Sequence, residues 1–154
     1  MNIELARPSD IGALVELRLA YLAEDFGALD ANVADALAAV LPGYFQAHLG
    51  RELYGVVARD GARIAACALL LIVEKPPSPA FPSGRTGTVM NVYTRPEYRR
   101  QGLARCVMQY LIEHARSMDV QIMNLRATDA GYPLYRSVGF TDDVNKYHAM
   151  VWRG

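Results

Sequence analysis

NVYTRPEYRRQGLA, residues Asn91 to Ala104, joins a short β-branched and aromatic run to a long helical pattern. Two arginines, a glutamine and a glycine fill the handover, Arg99-Arg100-Gln101-Gly102. The first turn of a helix has backbone N–H groups without helical partners, and they carry the positive end of the helix dipole. A glycine there lets a bulky anion approach the backbone, and the arginines add fixed charge. The stretch therefore reads as a phosphate cradle. A P-loop would need Gly-Lys-Ser/Thr, whereas Gly102 is followed by Leu103-Ala104. A dinucleotide fingerprint would need G-x-G-x-x-G, and only one of those glycines is present. The remaining pattern is Arg/Gln-x-x-Gly-x-Gly/Ala, which Arg99, Gly102 and Ala104 satisfy.

Working outward, Val120 to Ala127 reads as the strand after the cradle helix, and Gly131 to Ser137 as a short helix ending at Gly139. Thr141 onward, with KYHAMVW, reads as a closing strand. Upstream, Asn2 to Ala6 is a short strand, and Pro8-Ser9-Asp10 starts a helix carrying Ile11, Leu14, Val15 and Leu22. Asp30 to Gly50 is helical with an interruption at Pro42-Gly43. Leu53 to Arg59 and Arg63 to Val73 form a hairpin at Asp60-Gly61. The second of these strands is apolar at both alternating sets of positions, so both of its faces should be covered. After the loop KPPSPAFPSG, Thr88 to Thr94 is a further strand. In the cradle helix Leu103, Cys106, Val107, Tyr110, Leu111, Ala115 and Met118 share one face. The expected architecture is α/β (α+β): a mixed, mostly antiparallel sheet of six to seven strands with helices on both faces, in one domain spanning residues 1–154.

Composition bounds the partners. Sixteen basic residues balance sixteen acidic ones, so no global field draws the chain to nucleic acid or an anionic membrane, and phosphate recognition must be local. The longest apolar run, Ile64 to Val73, is too short to span a bilayer, and MNIELARPSD lacks a signal-peptide pattern. Cys67 and Cys106 both lie in apolar patterns and read as reduced core thiols of a cytoplasmic protein. Three scattered histidines and no paired cysteines leave no metal site visible.

Through these residues the chain resembles the GNAT superfamily of acetyl-CoA-dependent N-acetyltransferases. NVYTRPEYRRQGLA looks like that family's strand-to-helix segment, and NLRATDAGYPLYRSVGF is similar to its second motif, which ends in Tyr, a spacer and Gly-Phe. The resemblance implies that acetyl-CoA is the cosubstrate. Arg99, Arg100, Gln101, Gly102, Leu103 and Ala104 would hold its pyrophosphate at the helix start. Val92, Tyr93 and Thr94 would offer backbone groups to the pantetheine arm, as an added strand would take them. Thr128 would give that arm a polar contact. The thioester would lie where this strand diverges from the next.

Acetyl transfer to an amine needs a neutral nucleophile, a polarised carbonyl and a proton for the leaving thiolate. Freeing the lone pair of a lysine-like amine at neutral pH costs roughly 4–5 kcal/mol. Tyr135 occupies the family's tyrosine position and is the expected general acid, since a neutral phenol can protonate the thiolate. Many family members carry a glutamate on the strand before the cradle, but TVMNV has none. Asn91 cannot act as a base there, so it would orient a water or bind the acceptor. A backbone N–H near Val92 would polarise the thioester carbonyl. Glu24, Asp25 and Asp30 cluster between the first two helices and read first as solvated loop charges, with an acidic lining that would attract a cationic amine as the alternative. Tyr21, Phe26, Tyr44 and Phe45 either wall that pocket or fill the core. His114 is expected to pack, and His148 to alternate within the last strand. The expected acceptor is a small-molecule amine, and the apolar C-terminal strand offers a surface for a homodimer. A non-catalytic acyl-CoA-binding or regulatory module is the competing expectation.

Overall fold

A computed structural model describes residues 1–154. Five strands run β1 (Asn2–Leu5), β2 (Leu53–Asp60), β3 (Arg63–Glu74), β4 (Arg85–Thr94) and β5 (Ile122–Asn124). They lie side by side in chain order. The first four are antiparallel and β5 is parallel to β4. The helices are α1 (Ile11–Asp25), α2 (Ala31–His48), α3 (Leu103–Ser117) and α4 (Tyr132–Ser137). The connection from β4 through α3 to β5 is the crossover that lets two parallel strands pair.

As its double-sided apolar sequence requires, β3 is covered on both faces. Ala66, Ala68, Leu70 and Ile72 pack with Val107, Met108, Leu111 and Ala115 of α3. Ile64, Cys67 and Leu69 pack with Leu14 and Leu17 of α1 and Phe45 of α2. The buried stripe of α3 is centred on Leu103, Val107 and Leu111, which turns Cys106 and Tyr110 outward. The expected second core thiol is therefore a surface thiol, while Cys67 is buried.

Three further expectations change. Pro42 does not interrupt α2, although it removes one helical hydrogen bond. Leu41 and the buried Phe45 anchor the following turn in the core, which offsets that loss. The fifth strand is three residues long instead of eight, because β4 turns away from it. Their pairing ends at Thr88 and Asn124. Finally, residues 141–154 form no strand, so the sheet has five strands and not six or seven. Local bonds hold this segment instead: the Tyr132 hydroxyl donates to Asp142 Oδ1 at 2.8 Å, and the Tyr147 amide donates to Asn145 Oδ1 at 2.8 Å. Such short-range side-chain bonds compete with strand pairing, and β5 offers only a short edge to pair with. Val144, Tyr147, Met150, Val151 and Trp152 consequently stand 67–93% exposed, and His148 is exposed with them.

Candidate active site

The divergence of β4 from β5 begins in the strand itself. Cys67 opposes Tyr93 and Leu69 opposes Met90, so Asn91 and Val92 together face the single residue Ala68. This is a β-bulge, which bends and twists its strand. Asn91 takes φ +53°, a conformation that asparagine tolerates better than most residues. Its side chain is buried. The amide Nδ2 donates to Cys67 Sγ at 3.6 Å, the Cys67 thiol donates to the Asn91 carbonyl at 3.5 Å, and Arg18 Nη1 donates to Oδ1 at 3.4 Å. Burial pushes the Cys67 thiol up to about 12, so it stays protonated and able to donate. Four residues before Asn91, Gly87 permits a close approach of β5. A Cβ there would stand 2.8 Å from Leu70 and 3.1 Å from Met123.

Beyond Thr88 and Asn124 the strands enclose a cleft of about 670 Å³. Met90, Asn91, Val92, Arg126, Tyr21 and Tyr135 are among its walls. Tyr135 projects from α4, edge-on to Phe140 with ring centroids 6.2 Å apart. Gly131 makes room for its ring, since a Cβ at that position would come within 3.0 Å of it. Burial, reinforced by the neighbouring Tyr21, pushes the Tyr135 phenol up to about 12. Its hydroxyl therefore remains a proton carrier throughout the physiological range. Thr128 Oγ1 accepts the Gly131 amide at 3.1 Å, which steadies the approach to α4.

At the far end of β4, the loop to α3 takes positive φ at Arg100 (+62°) and Gly102 (+75°). Alternating backbone hands of this kind turn successive N–H groups toward one concavity. The Arg99 amide is already used, donating to Pro96. From Arg100 to Arg105 no backbone N–H donates to a protein acceptor, and the first helical bond is Cys106 to Gly102. A Cβ built on Gly102 would meet nothing within 4 Å, so the concavity is open. The donors and the space fit a phosphate group.

Arg99 itself turns away from this concavity. Its Nε donates to the Thr94 carbonyl at 2.9 Å, its Nη2 donates to Glu24 at 2.7 Å, and the guanidinium lies 5.4 Å from the centre of the Tyr93 ring. The arginine thus ties the end of α1 to the end of β4. Arg100 has no such partner among the ion pairs and is exposed. Val92 and Thr94 are half-buried along the unpaired edge of β4, and Tyr93 is buried on the α1 side.

Glu24, Asp25 and Asp30 do not line the cleft, in keeping with their first reading as loop charges and against the alternative of an acidic lining. Glu24 is held by Arg99, Asp30 caps α2 by accepting the Asn32 amide at 2.8 Å, and Asp25 is exposed. Of the four aromatics considered, Tyr21 walls the cleft. Phe45 is core, while Phe26 and Tyr44 are exposed. His114 packs against Tyr54 at 4.7 Å between ring centroids, as expected of a packing residue. Sequence reading missed Arg18, Cys67, Asn124 and Arg126. For the last two the signal was available in MNLRA, where Met123 packs into the core while the polar Asn124 and Arg126 line the cleft together with Leu125.

No curated protein matched the chain. Among solved structures, a predicted acetyltransferase from Clostridium acetobutylicum with acetyl-CoA superposes at a TM-score of 0.81. It is 26% identical, over 97% of this chain and 95% of that one. A GCN5-related N-acetyltransferase from Ralstonia eutropha superposes at 0.74, with 23% identity over 97% of each chain. A ribosomal-protein-alanine N-acetyltransferase from Brucella melitensis superposes at 0.69, with 18% identity over 98% of this chain and all of that one. The last two share the fold. The family model for the acetyltransferase (GNAT) family matches residues 18–140, which contain the bulge, the cradle and the Tyr135 helix. This chain belongs to the acetyltransferase (GNAT) family.

Proposed function

We propose that residues 1–154 form one N-acetyltransferase unit that moves an acetyl group from acetyl-CoA to a primary amine of a small molecule, directly, within a ternary complex. The observation that carries this reading is the run of unpaired amides from Arg100 to Arg105, in the loop that follows β4, the strand whose Asn91 lines a cleft with Tyr135. The pyrophosphate is held by Arg100, Gln101, Gly102, Leu103 and Ala104 through backbone N–H groups, in the favourable field of the α3 N-terminus. Arg99 keeps the loop in shape through Thr94 and Glu24. Val92, Tyr93 and Thr94 present the free edge of β4 to the pantetheine arm, and Thr128 borders the same arm.

At the bulge, the Val92 N–H polarises the thioester carbonyl and stabilises the oxyanion as the amine attacks. Asn91 hydrogen-bonds the acceptor or an ordered water and takes no proton. When the tetrahedral intermediate collapses, the C–S bond breaks, the Tyr135 hydroxyl gives its proton to the departing thiolate, and the phenolate regains a proton from the nitrogen of the former amine through water. The raised pKa of Tyr135 keeps that proton available. No carboxylate stands on β4, so the amine arrives deprotonated or loses its proton through water. Two unpaired cysteines support a cytoplasmic setting. The exposed apolar residues after Asp143 support a homodimer.

The missing carboxylate also favours a second reading, a module that binds acyl-CoA without turnover. Thiol release from acetyl-CoA across a panel of amines decides between them. An enzyme gives amine-dependent release. A binding module gives saturable coenzyme binding and no release above background.

A further inference from the structure

Charge around the cleft is distributed in a way that bears on the acceptor. Met123 packs toward the α3 side of the sheet, so Asn124, next to it in β5, faces the opposite side, that of α1, and Arg126 follows just past the strand end as a wall of the same cleft. Met90 packs into the core on that same side, and Thr88, two residues before it, shares its face. Arg126 lines the cleft, is exposed, and takes part in none of the nine ion pairs of the chain. Arg18 meets the cleft through Asn91, one of its walls. It reaches only Asn91 Oδ1 at 3.4 Å and stands 6.0 Å from the centre of the Tyr21 ring, so it too lacks a carboxylate.

Three of the nearby acids are committed elsewhere, while Asp25 and Asp129 are exposed and hold no ion pair. Glu24 holds Arg99, Glu16 holds Arg95, and Asp30 caps α2. Only Asp143 reaches the rim, where it accepts the Asn145 side-chain amide at 3.0 Å. A polycationic acceptor would bring like charge to two guanidiniums. An acceptor with its own anion would supply the partner they lack.

We propose that the acceptor is a compact amine bearing a carboxylate, and that Arg126, with the Asn124 and Thr88 side chains beside it, is the subsite for that carboxylate. The guanidinium fork matches a carboxylate in a bidentate pair, and amide and hydroxyl groups complete its hydrogen bonds. Arg18 adds positive potential from behind Asn91. A cleft of about 670 Å³ that also takes the thioester end of the coenzyme leaves room for a molecule of amino-acid size. The assignment rests on the acetyltransferase reading above.

The test pairs free α-amino acids with their C-terminal amides, alongside spermidine and kanamycin. Thiol release from acetyl-CoA is measured, and separately the melting temperature with coenzyme A present. An acid should react and stabilise while its amide does not. Arg126→Gln should raise KM for the acid by about ten- to a hundredfold, the loss of a charge-assisted hydrogen-bond pair, with kcat and coenzyme Kd little changed. Arg126→Lys should recover part of the loss. Amides or polyamines that bind and react as well as the acids overturn the carboxylate subsite. So does an Arg126→Gln enzyme that keeps its preference, or a panel in which no acid binds. Coenzyme A binding by calorimetry separates the two levels: a chain that binds the coenzyme but ignores carboxylates loses only the subsite, whereas a chain that fails to bind it loses both readings.

Discussion

Gly102→Leu tests the cradle in isolation from the rest of the fold. The position has φ +75° and open space where a Cβ would stand. The Cβ of a leucine there meets no neighbouring atom within 4 Å, but the residue adopts a left-handed backbone, at a cost of about 1–2 kcal/mol. For a chain of this length that corresponds to a fall in melting temperature of roughly 2–8 °C, with the fold retained. The coenzyme suffers more, because the new side chain occupies the concavity toward which the amides of residues 100–105 turn. Displacing a pyrophosphate from two of them forfeits two hydrogen bonds to a charged group, each worth about 1.5–3 kcal/mol. Affinity should fall at least about a hundredfold. Isothermal titration with coenzyme A reads this directly, and circular dichroism confirms that the variant is folded. A folded Gly102→Leu protein that binds within about threefold of the parent would refute the placement of the pyrophosphate.

Two other outcomes follow from the same geometry. Tyr135→Phe should lower kcat by about a hundredfold or more without changing coenzyme Kd. Because burial holds the parent phenol near 12, kcat should not fall between pH 8 and 10 through loss of the Tyr135 proton. His114 tests a structural reading. Its Nε2 is buried without a partner, and burial holds the ring below its usual pKa. The unfolded chain therefore takes up this proton first on acidification, and the associated stability is present above about pH 6.5 and is lost as pH falls below it. His114→Leu should remove that pH dependence and raise stability at pH 7.5 by about 1 kcal/mol, measured by urea unfolding.

Much of the fold was legible because its strongest signals are local. The hairpin at Asp60-Gly61, the doubly apolar β3 and the Gly102 helix start each follow from a few adjacent residues. What escaped depends on contacts distant in sequence. Pro42 is tolerated because Phe45 is anchored in the core, and β5 is short because a bulge on β4 turns that strand away. Local bonds at Asp142 and Asn145 outcompete the alternation of KYHAMVW. In the site, Gly102, Asn91 and Tyr135 carried their own signatures. Arg18 and Cys67 did not, since each matters only through the Asn91 side chain, 73 and 24 residues away. Glu24 illustrates the converse. Its charge was visible in the sequence, but its commitment to Arg99 was not.

The most direct measurement of the central claim is a crystal structure with coenzyme A. The pyrophosphate oxygens should accept hydrogen bonds from backbone N–H groups between Arg100 and Ala104 at about 2.7–3.2 Å, with the pantetheine arm along Val92 to Thr94 and the sulfur in the cleft near Tyr135. A coenzyme bound elsewhere, with those amides facing only solvent, would contradict it.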